Sequence, residues 1–124
     1  MSTSSRFQQL EQLLRTFVSS TSEVQAAALV SLDGLPLYSA LPAGTDENRV
    51  AAMAAALLAL GERTLRELQR GTLDQVYVKG SEGYILVLRA GGDAVLEVIT
   101  SAQARLGLVL LEANRCAQEA ARLV

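Results

Sequence analysis

Histidine and tryptophan are absent from this chain, and cysteine occurs once. Without histidine, the side chain that most often moves protons near neutral pH is missing, and so is the commonest transition-metal ligand. One cysteine excludes an internal disulfide and suits a reducing compartment. With no histidine to activate it, Cys116 reads as a small buried hydrophobe rather than a nucleophile. Aromatics make up only 4% of residues while hydrophobic types make up 50%, so the expected core is aliphatic. The formal net charge is -2, with both signs mixed along the chain. That leaves no basic stripe for a phosphate backbone and argues against nucleic acid as a partner. No apolar run approaches the roughly 20 residues of a membrane-spanning helix. The first six residues lack a secretory pattern and no lipidation motif is present, so a cytoplasmic location is expected. At 124 residues, residues 1–124 are expected to form one domain.

What is present is a regular alternation of helical and strand patterns. Phe7, Leu10, Leu13, Leu14 and Phe17 recur at three- and four-residue steps, which predicts an amphipathic helix over residues 5–18. Residues 25–32 and 35–39 are apolar runs joined by Asp33-Gly34, a hairpin signal in which both turn positions tolerate positive φ. Pro36 lacks an N–H, which predicts an edge strand. Thr45 or Asp46 is the expected N-cap of a long helix running to about Arg70, with Gly71 just beyond it. Residues 73–79 retain Asp, Gln and Lys, as a strand near an edge does. Residues 84–89 and 94–100 read as central strands covered on both faces. A last helix is expected from Ala104 to about Arg122, with Leu106, Leu110, Ala113, Ala117 and Ala121 on its core side. The fold class is therefore α+β, in the order α-β-β-α-β-β-β-α.

The long helix holds the most informative stretch. Residues 50–60 are uncharged. Val50, Met53, Leu57, Leu60 and Leu68 gather on one side, while Ala52, Ala55, Ala56 and Ala59 lie opposite, followed by Arg63, Arg66 and Arg70. A surface helix normally places charge opposite its apolar stripe. Here the back is small and apolar, which predicts two packing faces: the large residues toward the chain's own core, the alanines toward a partner. Two helices cover one sheet face and leave this helix alone on the other. A helix about 10–12 Å wide is narrow for five strands spaced ~4.8 Å apart. A second copy of the same helix fills that gap, so a homodimer is expected.

The order of elements, residues 27–39 with their Asp-Gly hairpin, the Ala-rich helix after Asp46, and residues 71–78, 83–88 and 106–109 together resemble the roadblock family. That family comprises dynein light-chain roadblock proteins and bacterial MglB-type proteins. The resemblance implies a profilin-like, five-stranded antiparallel sheet with helices on both faces. It also implies a dimer made by packing the middle helices and joining the third strands edge to edge, which would place Val76 and Val78 beside Ala52, Ala55, Ala56 and Ala59 at the interface. It further implies a non-catalytic regulator or scaffold that binds a Ras-like small GTPase. MglB-type members promote GTP hydrolysis by remodelling the GTPase rather than by donating an arginine. The family has no defining catalytic set, so no catalytic, cofactor or metal residue is expected.

The remaining motifs fit that expectation. Gly80-Ser-Glu-Gly83 and Gly91-Gly92 precede no helix and no Lys-Ser/Thr, so they read as hairpin turns rather than phosphate loops. Asp33 and Asp93 belong to turns, and Asp46 and Glu47 suit a helix start. Tyr38, Tyr77 and Tyr84 are expected to be ordinary strand packing. Arg63, Arg66 and Arg70 read as a solvated helix end or as the rim of a surface for an acidic partner. The alternative class is a small-ligand sensory domain of PAS-like architecture, which requires a roomy pocket with convergent polar groups.

Overall fold

The computed structural model describes the backbone of residues 3–124 and the side chains of residues 5–124. Met1 and Ser2, part of the segment read as having no secretory pattern, lie outside the described residues. The elements are α1 (Thr3–Ser20), β1 (Val24–Ser31), β2 (Pro36–Ala40), α2 (Glu47–Glu67), β3 (Val76–Gly80), β4 (Gly83–Ala90), β5 (Ala94–Thr100) and α3 (Leu106–Leu123). All strand pairs are antiparallel, and the sheet order is β2-β1-β5-β4-β3. The expected α-β-β-α-β-β-β-α order is observed, β2 with Pro36 is an edge, and β4 and β5 lie inside the sheet.

Alternation along the strands separates two cores. Leu29, Leu86, Leu88, Leu96 and Val98 face α1 and α3, where Leu10, Leu14, Phe17, Val109, Ala113, Cys116 and Ala120 complete an aliphatic layer. Ala28, Val30, Val87 and Val95 point to the other face and meet Ala51, Ala54 and Leu58 of α2. Fully burying such a Leu or Val contributes about 1.5–3 kcal/mol. Burial, with a smaller contribution from Glu119, raises the Cys116 thiol to about 12, consistent with its reading as a packed hydrophobe. Ion pairs tie the layers at their ends: Glu23 accepts from the Arg105 side chain at 2.6 Å and from its backbone N–H at 3.2 Å, joining the start of β1 to the start of α3.

Local expectations need correction at four places. Asp33 does not adopt positive φ; only Gly34 does, at 86°. The Gly34 N–H donates to Ser31 O at 3.0 Å and the Ser31 N–H to Leu35 O at 2.8 Å, so the hairpin is a longer loop closing on a left-handed glycine. Second, α2 starts where expected, with Asp46 Oδ1 accepting from the Arg49 N–H at 3.2 Å, but ends at Glu67 rather than near Arg70. Its terminator is Gln69 at φ 54°. The Gln69 N–H donates to Arg66 O and the Arg70 N–H to Leu65 O, the paired bonds of a Schellman ending. Third, Phe7, expected on the apolar face of α1, is exposed, and β3 begins at Val76 rather than Leu73.

One polar residue lies in the α2-side core. Glu97 on β5 is buried, sits between Ala28 of β1 and Val87 of β4, and leaves Oε1 without a hydrogen-bond partner. Desolvation raises its carboxyl from 4.5 to about 7. The folded state thus holds this proton more tightly than the unfolded chain. Stability contributed by the group is complete below pH about 4.5 and is lost as pH rises through about 7.

Two predictions follow from these features. Urea denaturation of the wild type should show a loss on the order of 3 kcal/mol across that pH window. Glu97→Gln should flatten it and be the more stable form at pH 8; an unchanged pH slope in the variant would contradict the assignment. Gln69→Gly should stabilise the fold by ~1 kcal/mol by removing the left-handed penalty, and a melting point at or below wild type would show that Gln69 is unstrained.

Candidate docking surface on α2 and β3

The inward face of α2 differs from the sequence expectation. Its buried residues are Ala51, Ala54 and Leu58, with Val50 and Leu57 half-buried at the margin. Met53 and Leu60, expected to face the core, are 51% and 63% exposed, and Leu68 is exposed as well. The physical reason is the seat. A sheet surface of Ala28, Val30, Val87 and Val95 admits a close helix axis only where the helix itself is small.

Ala52, Ala56 and Ala59 are exposed, as expected, and they share the outer face with Met53 and Leu60. Ala55 is only half-buried because the chain's own β1–β2 hairpin lies beside it. A Cβ on Gly34 would lie 3.3 Å from Ala52 Cα and 3.7 Å from Ala55 Cβ. The small side chains at 52 and 55 therefore serve an intramolecular contact as well. From Val50 to Gly61 the helix carries no charge; exposed Arg49 precedes the apolar stretch, and half-buried Glu62 and exposed Arg63 follow it. Two turns of exposed apolar helix bounded by charge depart from the usual surface helix, which places charge opposite its buried stripe.

β3 borders the same region. Among the described residues it is hydrogen-bonded to β4 alone, so its other edge has no strand partner there. Val76 is half-buried against the α2-side core, while Val78 is 42% exposed. Tyr77, expected to be ordinary packing, is 45% exposed on the opposite face, its hydroxyl accepting from Gln75 Nε2 at 2.8 Å. Open edge strands with exposed apolar side chains pair readily with another chain. Between α2 and the segment entering β3 runs an open groove of about 560 Å³, with Leu57, Leu60, Leu65, Leu73 and Val76 on its walls and Arg70 and Asp74 among its polar groups. Gly61 sets its depth. A Cβ there would come within 2.8 Å of Val76 Cγ2.

The three candidate partner-binding arginines project beyond this stretch. Arg63, Arg66 and Arg70 are all exposed. Arg63 lies 4.0 Å from Glu67, a pair too exposed to hold it in place. Arg70 donates to the Leu68 and Gln69 carbonyls at 3.4 Å, close to the helix C-terminus. The structure thus brings the dimer candidates Ala52, Ala56, Ala59 and Val78 onto one exposed region, with Ala55 and Val76 at its half-buried margin and the arginines at one end.

Sequence reasoning missed Met53, Leu60 and Glu97. Glu97 had a readable signal, a lone acid in a strand otherwise apolar on both faces. Among the described residues no group of three or more His, Cys, Asp or Glu is placed to hold a metal ion, and no helix is long and apolar enough to cross a membrane.

The Roadblock/LC7 domain family matches residues 10–100. The chain belongs to the Roadblock/LC7 family. An uncharacterized protein of Methanocaldococcus jannaschii is 36% identical to this roadblock chain over 99 residues, covering 80% of it and 86% of the relative. Among solved structures, Myxococcus xanthus MglB superposes with a TM-score of 0.85 at 20% identity, covering 95% of this chain and 92% of that one. Acanthamoeba castellanii profilin II superposes at 0.67 with 14% identity, covering 91% and 97%. The roadblock chain therefore has the profilin-like fold that its resemblance implied.

Gly61 offers a direct check on the groove. In an open helix Gly→Ala gains up to ~1 kcal/mol. Here the 2.8 Å approach to Val76 should cancel that gain, leaving Gly61→Ala neutral or destabilised by about 1 kcal/mol in urea. A clear gain would show that β3 is not held against the helix.

Proposed function

We propose that this roadblock chain is a homodimeric, non-catalytic regulator or scaffold that binds a Ras-like small GTPase in the cytoplasm. The observation that carries the reading is the exposed apolar stretch of α2, Ala52 to Leu60, beside the unpaired edge of β3. Two copies related by a twofold axis place the same patch on each partner, as an isologous interface requires. Helix packs on helix through Ala56 and Ala59 with Met53 and Leu60 alongside, and β3 pairs with its twin through the edge next to Val76 and Val78. Family membership and the fold shared with MglB support the GTPase as partner class. Arg63, Arg66 and Arg70 then stand at the rim, where exposed cations favour an acidic surface and speed encounter. The lack of histidine and the buried thiol of Cys116 support a role in binding rather than covalent or acid–base chemistry.

Sedimentation velocity tests the assembly. The wild type should run at twice the 13.2 kDa chain mass, and Ala56→Arg or Ala59→Arg should weaken self-association by roughly 100-fold or more, because the guanidinium would be buried unpaired. Dimers of unchanged affinity in both variants would refute the interface. Replacing Arg63, Arg66 and Arg70 by Ala together should spare the dimer and weaken capture of the GTPase recovered from cell extract. GTP turnover by that GTPase, with and without the chain, separates a regulator from an inert scaffold.

A further inference from the structure

Glu97 does not stand alone under α2. In the β4–β5 ladder, Val87 lies opposite Glu97 and Arg89 lies opposite Val95. Cross-strand partners share a face, so Arg89 is the diagonal neighbour of Glu97 on the α2 side. Such diagonals are separated by ~7–8 Å, within reach of long side chains. Arg89 is already engaged: Nε donates to Glu62 Oε2 at 2.7 Å, Nη2 to Glu62 Oε1 at 3.1 Å, and Nη1 to the Gly92 carbonyl at 3.3 Å. Glu62 belongs to α2, so this fork clamps the second half of that helix to the sheet. The hydrogen bond from Arg89 holds Glu62 below the usual carboxylate range, against an opposing desolvation, with Arg66 adding a smaller pull.

We propose that Glu97 and Glu62 compete for Arg89, so that ionisation of Glu97 draws the guanidinium off Glu62 and loosens the seat of α2 on the sheet. The geometry supplies each part: one cation, two carboxylates, and one of them buried without a partner on Oε1. Among the described residues, no other ionisable group faces Glu97 from the packed strands or from the inward residues of α2. β1 presents Ala26, Ala28 and Val30, β4 presents Ile85 and Val87 besides Arg89, and β5 presents Val95 and Ile99. The inward residues of α2 are Ala51, Ala54 and Leu58. While Glu97 keeps its proton, Arg89 gains nothing by leaving Glu62, which is the arrangement observed. Once Glu97 loses the proton, a bare charge lies in an apolar layer where, among the described residues, Arg89 is the cation within diagonal reach. Burial sets that titration at about 7, where small pH changes act. The link from this exchange to assembly rests on the docking reading above, because α2 carries the proposed docking face on its other side. The exchange itself takes place within one chain.

The test is an NMR titration of the full chain from pH 5 to 9, following the Arg89 Nε–Hε signal and the Glu62 and Glu97 carboxyl carbons, with sedimentation of the same samples. Arg89 and Glu62 should shift with the same midpoint as Glu97, and Glu97→Gln should leave both flat over that midpoint. Glu62→Gln, a change at a partly exposed site that leaves the core intact, should free Arg89 and lower the Glu97 midpoint by about one pH unit. Self-association should be tighter at pH 6 than at pH 8.5 in the wild type only. An Arg89 signal that ignores the Glu97 titration, or a Glu97 midpoint unmoved in Glu62→Gln, overturns the proposal. A protein monomeric at every pH overturns the docking reading, and the NMR titration then supports or overturns the clamp exchange by itself.

Discussion

The contact between α2 and the sheet is thin. Ala51, Ala54 and Leu58 are its buried helix residues, and Ala28, Val30, Val87 and Val95 form the seat. Small side chains on both sides bring the helix axis close, and Gly61 and Gly34 extend that closeness to the segment entering β3 and to the β1–β2 hairpin. Because α1 and α3 both lie on the opposite face, α2 covers its own face alone among the described residues. Most of its back is left to solvent: Ala56, Ala59, Met53 and Leu60 are exposed, while Ala52 and Ala55 border the β1–β2 hairpin. The position of the groove, the exposure of Met53 and Leu60, and the line of arginines all follow from how this one helix is seated.

The element order, the β2 edge with Pro36 and the inner placement of β4 and β5 were legible because each depended on a local rule: hairpin turns, a missing N–H, strands apolar on both faces. The small, uncharged back of α2 was legible too, but the orientation of its large side chains was not. By size alone Met53 and Leu60 read as core residues. A helix lying flat on a sheet of Ala and Val selects small residues for its inner face, so the bulk turned outward instead. The end of α2 at Gln69 carried no signal, since glutamine has no preference for left-handed backbone and Gly71 nearby matched the usual pattern. Glu97 stood in plain view, yet acids weighed only as catalytic pairs or turn formers left a solitary buried carboxyl without a role.

Glu97 is a cost placed at the most sensitive point of the molecule. An apolar residue of similar volume there would leave no orphaned oxygen. Glu97 lies diagonal to Arg89 across the β4–β5 ladder, and that arginine is held by Glu62, so under the proposed exchange its charge would act on the same cation that anchors α2. On that proposal the seating of α2, and with it the proposed docking face, is tied to the protonation of one buried carboxyl.

The central claim is that the back of α2 and the edge of β3 are covered together by a second copy of this chain. Hydrogen exchange measured over a range of protein concentrations at fixed pH tests it most directly. Protection of the β3 amides, Val76–Gly80, should rise with concentration together with that of α2, while β1 and β5, already inside the sheet, stay unchanged. Exchange in β3 and α2 that is independent of concentration up to the solubility limit would contradict the account.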